Sequence, residues 1–296
     1  MKSTLECLAC VAAQAVRVAR AATDDPEVQR RILDETVKRM PGLDLEESPA
    51  VNSACAYELA AALSGNADPY GAARREQNEL TLALEPELRE RVRESADPLS
   101  TALHIAAAGN IIDLGIANHG EIDVRSAIDQ ALREQFAVEH LAEFRESLAR
   151  ADDVLFLLDN AGEIVFDKIL IEELGKFAPV TAVVKGAPII NDVVMADAEQ
   201  VGLTEVCDVI DNGGPFIGCP ISLVPESFLE RMRAADMIVA KGQGNYETVD
   251  DFPGDVFLIL RAKCEIIARH MGGEYGQIGL ISTRARRAAA GNGPAA

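Results

Sequence analysis

The sequence predicts an α/β protein: an all-helical N-terminal domain, then a three-layer α/β/α domain with a mostly parallel, doubly wound (Rossmann-like) sheet. Three observations predict it. After residue 151, short apolar runs alternate with stretches of helical spacing, the pattern of a parallel sheet covered on both faces. Before residue 150 that alternation is missing, and helix-start signals recur instead. Of 22 glycines, 16 follow residue 150, where strand-to-helix loops need them. The division is therefore 1–150 helical, 151–283 α/β, and 284–296 a frayed tail of Arg, Ala, Gly and Pro.

In the first half, Leu8, Val11, Ala15 and Val18 form one apolar face. Glu6, Gln14, Arg17 and Arg20 interrupt or flank it, so it reads as an amphipathic helix and not as a secretory leader. Thr23-Asp24-Asp25-Pro26 starts a second helix, ended by Pro41-Gly42. Ser48-Pro49 and Asp68-Pro69 start two more, and another runs from Glu87 to Ser95. Asp97-Pro98 opens PLSTALHIAAAGNIIDLG, apolar nearly all round and so predicted to be buried between other elements. Asn110 and Asp113 share a face near its end and need polar partners there. His104 reads as a core residue. Asp123 to Leu148 reads as ordinary amphipathic helix.

The second half is organised around residues 152–171, DDVLFLLDNAGEIVFDKILI. Val154 to Leu158 is a buried strand by length and composition. Asp159-Asn160 ends it, Ala161-Gly162 turns the chain, and helical spacing resumes at Glu163. Asp and Asn also cap helices, the plainer reading of that pair. Repetition argues against it. Val180–Val184 leads into Lys185-Gly186 and Asn191-Asp192, and Val206–Ile210 into Asp211-Asn212-Gly213-Gly214. Met237–Ala240 leads into Lys241-Gly242-Gln243-Gly244-Asn245, and Val256–Leu260 into Arg261 and Lys263. Helices are predicted over 163–176, 194–202, 225–234 and 263–271, with one more short strand after Gly272. Right-handed crossovers place all these polar loops along one edge of the sheet.

Composition limits the function. A net charge of −20 disfavours nucleic-acid backbones. The longest uncharged run, Pro98 to Ile112, is 15 residues and carries His and Asn, too short and polar to span a membrane. A cytoplasmic protein is expected. Its six scattered cysteines do not form a secreted disulfide framework. Cys7 and Cys10, in CLAC, are half a zinc site at most and read first as small core residues, with a ligand or redox role as the alternative.

Asp159, Asn160 and Asp192 offer oxygen ligands from two strand ends, a donor set for a hard divalent cation. Asp197 competes with Asp192 for the third place. In KGQGN, Gly242 lets backbone N–H groups approach an anion at a helix start, while Lys241 and Lys263 supply cations for a phosphate. The dinucleotide fingerprint, the P-loop and the GxSxG elbow are absent.

With DNAGEIVFD, VKGAPIINDV, AGNIID, KGQGNYE and LRAKC in that set of loops, the chain resembles the damage-control phosphatase family (domain of unknown function eighty-nine), in its prokaryotic CxxC-containing branch. The resemblance extends to about residue 271. It implies a metal-dependent phosphatase acting on small phosphorylated metabolites, sugar phosphates or damaged phospho-metabolites, with Mn²⁺, Mg²⁺, Co²⁺ or Ni²⁺ as cofactor. It also implies that Asp159, Asn160 and Asp192 are the catalytic metal ligands. Lys241, Gly242 and Asn245 are then phosphate-binding, with Lys263, Glu163, Asn110 and Asp113 near the substrate. Metal-bound water and the Asp159 carboxylate both remain possible attacking groups. Competing readings are a methyltransferase acting on acidic side chains and a non-catalytic binder of metal or sugar phosphate. The substrate, the metal used and the oligomeric state are not in the sequence.

Overall fold

The computed structural model describes residues 1–116, 129, 130 and 132–291, and only the backbone of 110–116 and 290–291. A seven-stranded sheet runs through the second half. Its strands are β1 (Val138–Glu139), β2 (Val154–Leu157), β3 (Val180–Val184), β4 (Asp208–Asp211), β5 (Met237–Lys241), β6 (Val256–Arg261) and β7 (Ile278–Ser282). Their order is β1-β7-β6-β5-β2-β3-β4. Every pair is parallel except β6 with β7.

Strand alternation explains why the central strands are apolar throughout. Val154 and Phe156 of β2 enter one core, Leu155 and Leu157 the other. The first core is closed by α8 (Glu163–Leu174), and also by α5 (Glu85–Glu94) and α6 (Pro98–Ile116) through Leu88, Val92, Leu99 and Leu103. The second is closed by α10 (Glu226–Ala234), α11 (Gly242–Val249) and α12 (Glu265–Met271). The nearly uniform apolar helix α6 is thus buried along its described side chains, from Leu99 to Ala108, as its composition predicts. One core therefore crosses the division near residue 150. Only α1 (Leu5–Ala22), α2 (Pro26–Arg39) and α3 (Pro49–Ser64) keep a small core of their own, around Ala15, Val18, Ile32 and Ala56.

Three expectations need correction. Residues 123–148 are not helical throughout: 123–128 lie outside the described residues, and β1 precedes α7 (Leu141–Leu148). Amphipathic spacing could not reveal that the free edge of β7 recruits Val138 and Glu139 as ladder partners. The C-terminal segment forms α13 (Thr283–Gly291), where Arg286 donates to the Tyr246 hydroxyl and Arg287 to Phe252 O. Finally, Cys10 is exposed and Cys7 half-buried, so the pair is not core. Thr4 N donates to Cys7 Sγ at 3.4 Å, which makes that sulfur part of the helix start.

Glu247 on α11 is buried, and its Oε1 accepts only from Gln243 Nε2 at 2.9 Å among the described side chains. Burial pushes its carboxyl up to about 7. A carboxyl raised on folding holds its proton in the native state while the unfolded chain has already ionised. Its contribution is full below the unfolded value, near 4.5, and is lost as pH rises to about 7. Glu247→Gln should therefore flatten the fall in stability between about pH 4.5 and 7, by on the order of 3 kcal/mol across the window. Urea titrations at both ends of that window check it; an unchanged slope would mean the carboxylate is solvated.

Candidate active site

The strand order decides where a site can form. From β2 the chain moves outward to β3 and β4, then returns to β5 on the other side of β2. Loops after β2 and β5 therefore leave in opposite directions and open a crevice between the strands' carboxyl ends. Asp159-Asn160 follows β2, and Lys241-Gly242 follows β5. Gly242 has φ +80°, and a Cβ there would lie 1.8 Å from Asp159 Oδ2. Only glycine lets the two loops close on each other.

The loop after β3 completes the cluster. Val193 N donates to Asp159 O and Ala161 N to Asn191 O, both at 2.9 Å, so Asn160 and Asp192 face each other in an isolated bridge. Asn160 Nδ2 donates to Asp159 Oδ2 at 2.8 Å and to Glu163 Oε1 at 3.0 Å. Gly162 makes the turn into α8 with φ +77°, and its N–H is capped by Asn78 Oδ1 at 2.7 Å from α4 (Gly71–Leu82).

Charge is concentrated here and almost wholly buried. Lys185 Nζ lies 3.3 Å from Asp192 Oδ2 and donates to Gly218 O at 2.7 Å. Lys241 Nζ lies 2.7 Å from Asp167 Oδ1 and 3.3 Å from Glu163 Oε2. Burial, then Asp192 and Glu163, hold the Asp159 carboxyl well above the usual range, against Lys263 and Lys185. Burial also pushes Asp167 up to about 7, against Lys241. Burial pulls Lys241 down, but the fields of Asp167, Glu163 and Asp159 outweigh it and its ammonium is held.

The structure thus brings Asp159, Asn160, Asp192, Glu163, Lys241 and Gly242 together, and the field of Lys263 reaches Asp159. The Lys263 N–H donates to Gln243 Oε1 at 3.2 Å. Asn245 Nδ2 donates to Leu158 O and Lys241 O, tying the ends of β2 and β5 together. The side chains of Asn110 and Asp113 lie outside the described residues. Lys241 is 0% exposed, and its ammonium is taken up by Asp167 and Glu163. Strand alternation is the reason. Lys241 shares a face with Met237 and Val239, under α8, where Glu163 and Asp167 stand four apart. Lys185 is the residue that sequence reasoning passed over; its signal was its place just past β3, in VKGAPIIND.

The two candidates for a third ligand occupy different surroundings. Asp192 faces Asn160. Asp197 instead accepts from Arg74 Nε (2.9 Å), Asn78 Nδ2 (3.2 Å) and Val194 N (2.9 Å), joining α4 to α9 (Met195–Gln200). Asp211 accepts from the Gly213 N–H in its own turn, and Asn212 accepts from the Gly214 N–H there and from the Gly186 N–H after β3.

Among the described residues, no group of three or more His, Cys, Asp and Glu side chains is arranged to hold a metal. The crevice set is two acids and an amide, all oxygen donors of the hard type. At Asp159, burial and the charges of Asp192 and Glu163 outweigh those of Lys263 and Lys185, and a divalent cation fits that deficit.

Fold and site together define an open α/β protein with an oxygen-rich, charge-dense crevice at the switch point of its sheet. The family model described as the damage-control phosphatase ARMT1-like domain matches residues 3–278. A damage-control phosphatase of Pyrococcus horikoshii is 30% identical over 275 residues, 92% of this chain and 94% of the relative. An uncharacterized protein of Methanocaldococcus jannaschii is 31% identical, covering 92% of each. A damage-control phosphatase of Archaeoglobus fulgidus is 30% identical, covering 94% of this chain and 98% of the relative. The crystal structure of a DUF89 family protein from Pyrococcus horikoshii superposes with a TM-score of 0.87 over 96% of this chain and 99% of that one, at 30% identity. The chain belongs to the damage-control phosphatase ARMT1-like domain family, and the relatives' names support a phosphatase role in that family.

Gly242→Ala puts a methyl group into Asp159 at a positive φ. We expect a stability loss of about 2 kcal/mol or more in urea denaturation. Wild-type stability would mean that the two loops separate freely.

Proposed function

We propose that this chain is a metal-dependent phosphomonoester hydrolase acting on small phosphorylated metabolites at the β2/β5 crevice. The observation that carries the reading is the convergence of Asp159, Asn160 and Asp192 with Lys185 at a switch point closed by Gly242. The names of the relatives support the phosphatase class. Asp159 and Asp192 would hold a divalent ion such as Mn²⁺, Mg²⁺, Co²⁺ or Ni²⁺, with the Asn160 amide as neutral third donor. Bound there, the ion supplies the positive charge that polarises the phosphoryl oxygens.

The chain's own groups divide the remaining work. Lys185 and Lys263, whose fields already act on Asp159, hold phosphate oxygens as point charges. Glu163 orients Asn160 through the bond at 3.0 Å. Lys241, paired with Asp167 and Glu163, keeps Glu163 in place from below and does not meet the phosphate. In the hydrolysis a P–O bond forms to the oxygen of water and the ester P–O bond breaks. The alcohol departs with a proton that came from that water.

Phosphate release from a panel of phosphomonoesters, with each metal and with chelator, tests the reaction; no release under any metal would overturn it. The ligand set has a separate test. Asp192→Ala should lose at least tenfold in Mn²⁺ affinity by calorimetry. Asp197→Ala should keep that affinity while losing about 1–3 kcal/mol of stability, because Arg74 Nε, Asn78 Nδ2 and the Val194 N–H lose their buried acceptor while Arg74 keeps its pair with Asp68. Wild-type Mn²⁺ affinity in Asp192→Ala would remove Asp192 from the set.

A further inference from the structure

A cavity of about 340 Å³ lies between the helical half and the loops after β3 and β4. Val51 and Tyr57 of α3, Tyr70, Ile189, Ile190 and Phe216 line much of it. Among the described residues, the charged ones lining it are Glu58 and Asp68, and Asp68 is bound by the Arg74 guanidinium at 2.7 and 2.9 Å. The Tyr57 hydroxyl already donates to Gln14 Oε1 at 3.1 Å. The wall therefore offers aromatic and aliphatic surface, no cation and few free hydrogen-bonding groups.

One loop serves both this cavity and the acidic cluster: Ile189 and Ile190 line the cavity, and Asp192, two residues on, faces Asn160. Ile190 is the only non-glycine residue among those described with a positive φ, +48°. A β-branched side chain in that region is strained, and such strain persists where surrounding structure demands it. The turn sends Ile190 into the cavity wall while Asn191 O takes the Ala161 N–H and Asp192 faces Asn160.

Building on the phosphatase reading, we propose that this cavity receives the organic part of the substrate, and that this part is an uncharged, flat or apolar group rather than a polyol or a second anion. A polyol would surrender its hydration to a wall that cannot return the hydrogen bonds. A second anion would meet Glu58 and no lining cation among the described residues. An aromatic ring finds Tyr57, Tyr70 and Phe216, in a volume typical of small-ligand sites.

Benzyl phosphate and glucose 6-phosphate both release a primary alcohol, so their comparison isolates the cavity from leaving-group chemistry. With Mn²⁺, kcat/KM for benzyl phosphate should exceed that for glucose 6-phosphate by at least tenfold. Val51→Trp, which fills the cavity from α3, should abolish the difference by lowering the benzyl value alone; Ala54→Leu repeats the test if that variant fails to fold. Preference for glucose 6-phosphate, or an unchanged ratio in a folded filled variant, overturns the cavity assignment and leaves the phosphatase reading intact. If neither ester is hydrolysed, calorimetry with benzylphosphonate separates the two ideas. Binding to wild type that is lost in Val51→Trp upholds the cavity while the phosphatase reading fails; no binding to wild type overturns the cavity as well.

Discussion

The structure depends on keeping several buried charges matched in one dry corner. Asp159, Asp192, Glu163 and Asp167 stand together at the carboxyl edge of the sheet, each nearly inaccessible to water. Unpaired, such groups would unfold the corner or give up their charge. Lys241 answers Asp167 and Glu163, Lys185 answers Asp192, and Asn160 bridges Asp159 to Glu163. The match is incomplete at Asp159, whose carboxyl stays far above its ordinary range.

The helical half takes part in that arrangement. Arg74 and Asn78 of α4 hold Asp197, and Asn78 also caps the turn at Gly162. One helix therefore fixes both the loop carrying Asp192 and the loop carrying Asp159 and Asn160. Farther along the same interface, α1 and α3 form one side of the apolar cavity and the β3 and β4 loops the other. The loop after β3 contributes to both the acidic crevice and the cavity. Among the described residues, no helix is long and apolar enough to cross a membrane.

The alternation of apolar runs and helices, the turn at Ala161-Gly162, the buried character of α6 and the position of Asp159-Asn160 past β2 were all legible in the chain. They follow from local spacing, and spacing survives folding. The short β1 was not legible, because two residues carry no period and their strand state comes from the edge of β7. Nor was the exposure of Cys10, since one helical face looks the same whether or not another element covers it.

What the sequence determined by itself is which residues stand at strand ends, and hence which oxygens and lysines could meet along the sheet's edge. Tertiary structure alone decided how they divide. Strand parity turns Lys241 inward beneath α8 while Lys185 pairs with Asp192, and the packing of α4 takes Asp197 for Arg74 and leaves Asp192 facing Asn160. The physical reason is that a lysine or an aspartate reads the same in any loop. Its role follows from the charges buried within about 4 Å of it, and those arrive from elements far away in the chain.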